Sequence, residues 1–538
     1  MTYKKILQPI LVLLFSCGTL VAQEKQPAED WHMLDPNAGN HVQGMSVDKA
    51  YEILKGRKSE TVTVAVIDSG IDIDHEDLEG KIWINEDEIP GNGKDDDKNG
   101  YVDDRYGWNF IGGPEANIEA DSYELTRIYV ELKKKYGDVT AEEVNKKNKK
   151  EYDFWLEIKD KFEADAAEAQ QEYQFYQFLQ GNLLRFNNLL KAYVGVDTLE
   201  MNHLYQINSP DSLIIIARNI IGSIYQNMGE DVDFATVEEE LQSAVDHYDK
   251  LVNYAYNPDF DPRGVVGDNY KDPYEKGYGN PDVEGPDASH GTHVAGIIAA
   301  NRNNALGMKG IADNVKIMAI RAVPPEGDER DKDIANAIIY AVDNGAQIIN
   351  MSFGKSYSPY KEAVDKAVKY AADKGVLMIL GAGNSSKNID KSENFPSEVL
   401  LSGETIEVWM DIGATGFYKD ENLVGDFSNY GKETVDVFAP GVEIYSTIPD
   451  NSYENFSGTS MAAPATTGVA ALLMSYFPDL NAKQVKEIIM QSAIKYEGLE
   501  VTRPGKSGLP TPFSELSVSG GIVNAYEAVK MALEMSRN

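Results

Sequence analysis

From Thr61 onward the period of the apolar positions switches repeatedly. The runs "TVTVAVID", "VKIMAIRA", "QIINMSF", "GVLMILGAG" and "VDVFAPG" are strand-length and almost unbroken, as expected for parallel strands covered on both faces. Between them, "DKDIANAIIYAVDNG" and "KEAVDKAVKYAADKG" place apolar residues at helical spacing and close on Gly, a common helix terminator. Alternating strands and helices predict a doubly wound, mostly parallel α/β sheet with helices on both faces. Ligands meet such sheets at the carboxyl ends of the strands. Asp68 ends the first run, Phe353 the third, and Asn384 follows the fourth.

Residues 114–256 break this pattern. They are helical throughout and rich in Glu, Lys, Gln and Tyr, and they read as an α-helical insertion. "YELTRIYVELKKKYG" sets Leu125, Ile128, Tyr129, Leu132 and Tyr136 on one face. Thr140 with Glu143 has the spacing of a capping box and predicts a long helix after it. The expected organisation is therefore an export signal (1–22), an N-terminal segment of the catalytic domain (23–60), its first part (61–113), the insertion (114–256) and its second part (257–538). On this reading no room remains for a folding prodomain.

Composition narrows the chemistry. The 538 residues are 42% hydrophobic and 10% aromatic, enough for a sizeable core. The formal net charge is −37, which repels nucleic acid and anionic membranes and suits a protein that binds cations. The only cysteine is Cys17, so thiol catalysis, cysteine-ligated zinc and an intramolecular disulfide are excluded for the mature chain. "MTYKKILQPILVLLFSCGTLVAQ" pairs a basic start with an apolar stretch, as an export signal does. Cleavage after Ala22 would give a secreted or periplasmic protein. Alternatively "LFSC" directs lipidation of Cys17 and anchorage in the cell envelope. No other stretch has the length and apolarity of a transmembrane helix.

Five residues carry candidate chemistry, and each has an ordinary structural reading beside it. Ser460 in "NFSGTSMAAP" precedes an apolar helix, where a serine is commonly a cap. His290 and His293 in "SHGTH" stand three apart, but without the Glu or the spacing of a zinc hydrolase. Asp68 before Ser-Gly is also a common turn former, and Asn384 sits in a Gly-rich turn.

In order along the chain, "VAVIDSGIDIDHEDL", "SHGTHVAGIIA", "INMSFG", "GAGN" and "SGTSMAAP" resemble the signature blocks of the subtilisin-like serine peptidases. The resemblance implies a calcium-stabilised serine endopeptidase acting on an extended polypeptide. It makes Asp68 the residue that orients the imidazole, His290 the base and then acid, and Ser460 the nucleophile. Asn384 and the Ser460 N–H become the oxyanion donors. It implies that Ser352, Phe353 and Gly354 pair with the substrate strand, and that Gly381, Ala382 and Gly383 wall the pocket before the scissile bond. The rivals are an inactive scaffold of the same fold that binds peptides, and a zinc hydrolase.

A second motif needs no family. "GNGKDDDKNGYVDD" offers Asp95, Asp97 and Asn99, then Gly100, the Tyr101 carbonyl and Asp103, at the spacing that opens a calcium loop. Position 12 is Tyr106 rather than Glu, a departure from the EF-hand. The resemblance adds Asp77 and Asn304 as side-chain ligands of another calcium.

Overall fold

The computed structural model describes residues 28–39, 42–228, 234–505 and 508–536. The leader and Cys17 lie outside the described residues. Residues 129–260 form one compact unit, and the other described residues form a larger one.

The larger unit is built on a nine-stranded sheet. In chain order its strands are β1 (Val62–Asp68), β2 (Gly107–Asn109), β3 (Val315–Arg321), β4 (Ile348–Met351), β5 (Leu377–Gly381), β6 (Trp409–Thr415) and β7 (Val437–Pro440). A hairpin, β8 (Ile444–Ile448) and β9 (Ser452–Phe456), stands apart from the sheet, which resumes with β10 (Ile494–Lys495) and β11 (Gly521–Ile522). The order across the sheet is β10-β11-β7-β6-β5-β4-β1-β3-β2, and only β10 and β11 pair antiparallel. All five apolar runs are strands, and their residues are almost wholly buried. The fold is thus the expected doubly wound α/β sheet.

Helices in chain order are α1 (Val47–Leu54), α2 (Glu124–Tyr136), α3 (Lys149–Val194), α4 (Met201–Gln206), α5 (Ser212–Met228), α6 (Phe234–Lys250), α7 (Ser289–Ala299), α8 (Asp331–Asp343), α9 (Lys361–Asp373), α10 (Thr459–Tyr476), α11 (Ala482–Ser492) and α12 (Ala525–Met535). The step from β1 to β3 runs through α7, whereas β3 to β4 and β4 to β5 run the other way through α8 and α9. Right-handed crossovers therefore put α7 on one face and α8 and α9 on the other. The long apolar α10 packs against α7 and under β4, β5, β6 and β7. The switch in direction places the end of β1 beside the end of β4.

The smaller unit is helical. The 46-residue α3 packs with α5 and α6 around Leu183, Phe186, Leu190, Ile221, Tyr225 and Leu241. Two local expectations shift. Glu143 does accept from the Thr140 N–H (2.8 Å) and hydroxyl (2.9 Å), but α3 starts only at Lys149. The Asn145 carboxamide oxygen takes the N–H groups of Lys147 and Asn148, and this local turn competes with helix. The compact helical unit also begins later than residue 114. Residues 114–128 belong with the sheet, where Asp121 grips Arg330 at 2.6 and 2.9 Å and Glu124 holds the buried Lys355 at 2.7 Å.

Candidate active site and cation loop

Asp68 closes β1 and His290 opens the first turn of α7. The Asp68 Oδ1 accepts from His290 Nδ1 at 2.7 Å and from the Ser69 N–H at 2.8 Å. This close approach needs Gly291. A Cβ there would lie 2.1 Å from the Gly70 carbonyl oxygen and 3.1 Å from the Asp68 Cβ. Burial works against a charged His290, but the Asp68 carboxylate outweighs it and holds the imidazole pKa above its ordinary value, with Asp287 adding to the effect. His293, three residues on, has another task. It stacks on Phe456 with ring centroids 4.3 Å apart and donates from Nε2 to the carbonyls of Ile444 and Glu454. Burial drives its pKa down to about 3, so it stays a neutral clamp on the β8–β9 hairpin.

Ser460 does not cap its helix. It is the second residue of α10, and its hydroxyl donates to the Ser352 carbonyl at 3.2 Å. In return the Ser352 hydroxyl donates to the Ser460 carbonyl at 3.0 Å. Pro464 explains why that carbonyl is open. In an unbroken helix the residue-464 N–H would bond it, and proline has none. A buried chain then fixes the Ser352 hydroxyl: the Asn350 side-chain amide donates to it at 3.0 Å, and the Thr467 hydroxyl donates to Asn350 Oδ1 at 2.9 Å. Sequence reasoning missed Asn350, Thr467 and the meaning of Pro464. The available signal was a proline inside an otherwise strongly helical run.

Asn384 supplies the cap that Ser460 does not. Its Oδ1 accepts from both the Thr459 N–H and the Thr459 hydroxyl, each at 2.9 Å. The same hydroxyl accepts the Gly383 N–H at 3.0 Å. With Oδ1 occupied, Nδ2 is turned away from Thr459. A Cβ built on Gly458 would lie 3.4 Å from Asn384 Nδ2 and 3.5 Å from the Ser460 N, so the two donors flank one small volume. The neighbouring wall is Gly381, Ala382 and Gly383, held by Asn429, which donates to the Ala382 carbonyl at 2.8 Å. Gly383 has φ +100°, and a Cβ there would stand 2.6 Å from the Asn429 amide, so glycine is required twice over. Ser352, Phe353 and Gly354 run out of β4 opposite this wall. The Asn394 side chain, which the sequence did not single out, lies 3.4 Å from where a Gly354 Cβ would be and 4.0 Å from a Gly383 Cβ.

The acidic loop is arranged differently from its motif. Asp95 accepts the N–H groups of Asn99 and Gly100, and Asp97 accepts the Asn99 N–H and the Asn85 amide. Asn99 Oδ1 takes the Tyr101 N–H. Asp103 turns to the N–H groups of Asn92 and Gly93, at 3.0 and 2.8 Å. Glu88, which precedes the motif, joins instead: ligand atoms of Glu88, Asp95 and Asp97 lie within 4.8 Å of one another. Among the described residues no other group of three potential acid, His or Cys ligands converges this way. Asp77 and Asn304 also meet, as hydrogen-bond partners. The Asn304 amide donates to Asp77 Oδ1 at 2.7 Å, while Oδ2 accepts the Met308 N–H and the Tyr453 hydroxyl.

Residues 59–514 match the subtilase family (Peptidase_S8). The chain belongs to the subtilase family. Among curated subtilases and related proteins it is 39% identical over 250 residues to a thermophilic serine proteinase of Bacillus sp. (strain AK1), covering 46% of this chain and 56% of that protein. It is 38% identical over 207 residues to subtilisin DY of Bacillus licheniformis (38% of this chain, 70% of that one), and 35% identical over 242 residues to thermitase of Thermoactinomyces vulgaris (45% and 75%). This subtilase thus spans little more than half the length of the first relative. Among its described residues no helix is long and apolar enough to cross a membrane.

Proposed function

We propose that this subtilase is an exported serine endopeptidase that cleaves extended polypeptides through an acyl-enzyme. The observation that carries the reading is the 2.7 Å contact of Asp68 with His290 Nδ1, on the same sheet edge that holds Ser460 and Asn384. The carboxylate fixes the tautomer that leaves Nε2 free as a base. The Ser460 hydroxyl leaves the Ser352 carbonyl, gives its proton to Nε2, and Oγ bonds to the scissile carbonyl carbon. The carbonyl oxygen, now an anion, takes hydrogen bonds from Asn384 Nδ2 and the Ser460 N–H. The imidazolium returns its proton to the departing amine nitrogen, and the C–N bond breaks. Water then loses a proton to Nε2 and attacks the ester, and as the acyl–Oγ bond breaks the imidazolium returns that proton to Ser460. Ser352 to Gly354 pair with the substrate backbone by strand addition, with the Gly381–Gly383 wall beside the side chain that precedes the cut.

Calcium stabilises the fold through the acidic loop, whose hard oxygen donors suit it. Asp77 and Asn304, whose side chains meet at 2.7 Å, are the candidate side-chain ligands of a second calcium. Export, to the medium or the periplasm or to the envelope through Cys17, rests on the leader.

A fluorophosphonate probe tests the activity. It is expected to label the protein at Ser460 and to leave Ser460→Ala unlabelled. Absence of labelling in folded, calcium-loaded protein would leave a peptide-binding scaffold as the better reading.

A further inference from the structure

The acidic loop offers more carboxylates than its motif needs, and one of them is placed where the motif does not look. Glu88 is 2% exposed. Its Oε1 accepts the N–H groups of Asp96 (2.7 Å) and Asp97 (3.1 Å), whereas Oε2 is buried with no hydrogen-bond partner. An unpartnered buried carboxylate oxygen is costly, and two further carboxylates beside it compound the cost. Among the described residues none of the three forms an ion pair. The nearby Arg105 guanidinium spends its contacts on the Asn85 and Glu88 carbonyls.

We infer that Glu88, Asp95 and Asp97 together bind one calcium ion, with Glu88 taking the part that the last acid of an EF-hand loop plays and Asp103 standing outside the ligand set. The inference rests on the calcium reading above and specifies its ligands. Two oxygens bound to one calcium at about 2.4 Å each can be no more than roughly 4.8 Å apart, and the ligand atoms of the three acids all lie within 4.8 Å of one another. The absence of His and Cys from the group argues against zinc. Asp103 lies outside this convergent group, and its two oxygens take the Asn92 and Gly93 N–H groups of the turn before the site.

The ion would bear on the whole unit through a short path. Asn85 donates to both Asp97 and Asp104, and Asn99 donates to the same two acids. Asp104 is fully buried, accepts the Tyr340 hydroxyl of α8 at 2.7 Å, and has its pKa pushed by burial up to about 6. The Tyr101 ring packs on Trp108 and Tyr340, with centroids 5.1 and 5.0 Å away. Calcium at the loop thereby locks the edge strand β2 and helix α8 into one arrangement.

Calorimetric titration of calcium into the full chain, in a Ser460→Ala background to prevent self-digestion, tests this. Glu88→Gln keeps an oxygen for the Asp96 and Asp97 N–H groups, so its metal-free spectrum and melting point serve as a check on folding. Its calcium affinity is expected to fall by about 10–100-fold or more, and Asp95→Asn should fall likewise, while Asp103→Asn stays near the parent. Terbium luminescence sensitised by Trp108 and Tyr101 gives a second readout that should weaken in the same order. Parent-like affinity in Glu88→Gln, or in Asp95→Asn should Glu88→Gln not fold, overturns the inference, as does an equal loss in Asp103→Asn. A parent protein that binds no calcium overturns both this and the calcium reading, and leaves the peptidase reading to the probe test.

Discussion

At the scale of single residues, the site depends on which atom faces which. Asn384 is useful only with Oδ1 bonded to Thr459 and Nδ2 on the side of the Ser460 N–H, and Thr459 enforces that choice through two bonds. Asn384→Ala is accordingly expected to lower kcat by about 10²–10³ with little change in KM, which steady-state kinetics on a peptide substrate will read. The imidazole gives a pH prediction. Its base form is needed, and its pKa is held above the ordinary 6.5 by Asp68 against the opposing effect of burial. The rate constant kcat/KM should therefore fall with decreasing pH along a limb centred above 6.5. Asp68→Asn removes the anion, so the limb should move to lower pH while kcat falls by about 10⁴. A limb that stays in place would mean that Asp68 does not set the His290 pKa. For stability the sign is opposite: the contact favours the fold below pH 6.5 and the benefit is lost as pH rises through the raised value.

At the scale of elements, the proposed nucleophile Ser460 is held by a helix and a strand that share hydrogen bonds rather than by its own loop. Pro464 opens the Ser460 carbonyl, Ser352 closes it from the end of β4, and Asn350 with Thr467 ties β4 back to α10. Thr467→Val keeps the shape and removes one donor, leaving the Asn350 oxygen unpaired in a buried place. Urea denaturation should show a loss of about 1–3 kcal/mol, with a lowered kcat because Ser352 and Ser460 lose a fixed partner. A stability change below a few tenths of a kcal/mol would show that this chain carries no load. Element prediction from sequence was strongest where burial was complete: the five apolar runs and the helices ending before Gly345 and Gly375 are all present. It failed at β6, whose apolar run is broken by Asp411. That carboxyl is buried among strands and accepts from Trp409 Nε1 at 2.9 Å, and burial, with Asp436 and Glu398 beside it, pushes its pKa well above the ordinary carboxylate value.

At the scale of the whole molecule, that same cluster sets a pH dependence of stability. Asp411, Asp436 and Glu398 share the cation Lys486, which pairs with Asp436 at 2.9 Å. Burial raises all three carboxyl pKa values, Glu398 to about 7. Raised folded-state values mean that the fold holds protons the unfolded chain has released. Stability from this cluster is therefore present at acid pH and lost as pH climbs from the ordinary carboxylate range toward and beyond 7. Asp411→Asn retains an acceptor for Trp409 and cannot ionise. Its melting temperature should exceed that of the parent by a margin that grows between mildly acid and alkaline pH. A constant margin would place the proton elsewhere.

The sequence by itself determined the layered fold and marked out the candidate reacting groups. Complete burial writes unbroken apolar runs, and the chemistry of acyl transfer admits few side chains, which here stand in recognisable local settings at Asp68, His290, Asn384 and Ser460. Only the tertiary structure decided what lies between them. It turned the Asn384 amide, gave Pro464 a purpose through Ser352, made His293 a clamp, set Asn394 between two glycines, and brought Glu88 to Asp95 and Asp97. Each of these depends on residues far apart in the chain or outside a motif, or on which of two oxygens is already occupied. Hydrogen-bond occupancy is a property of three-dimensional neighbours, and no spacing along the chain encodes it.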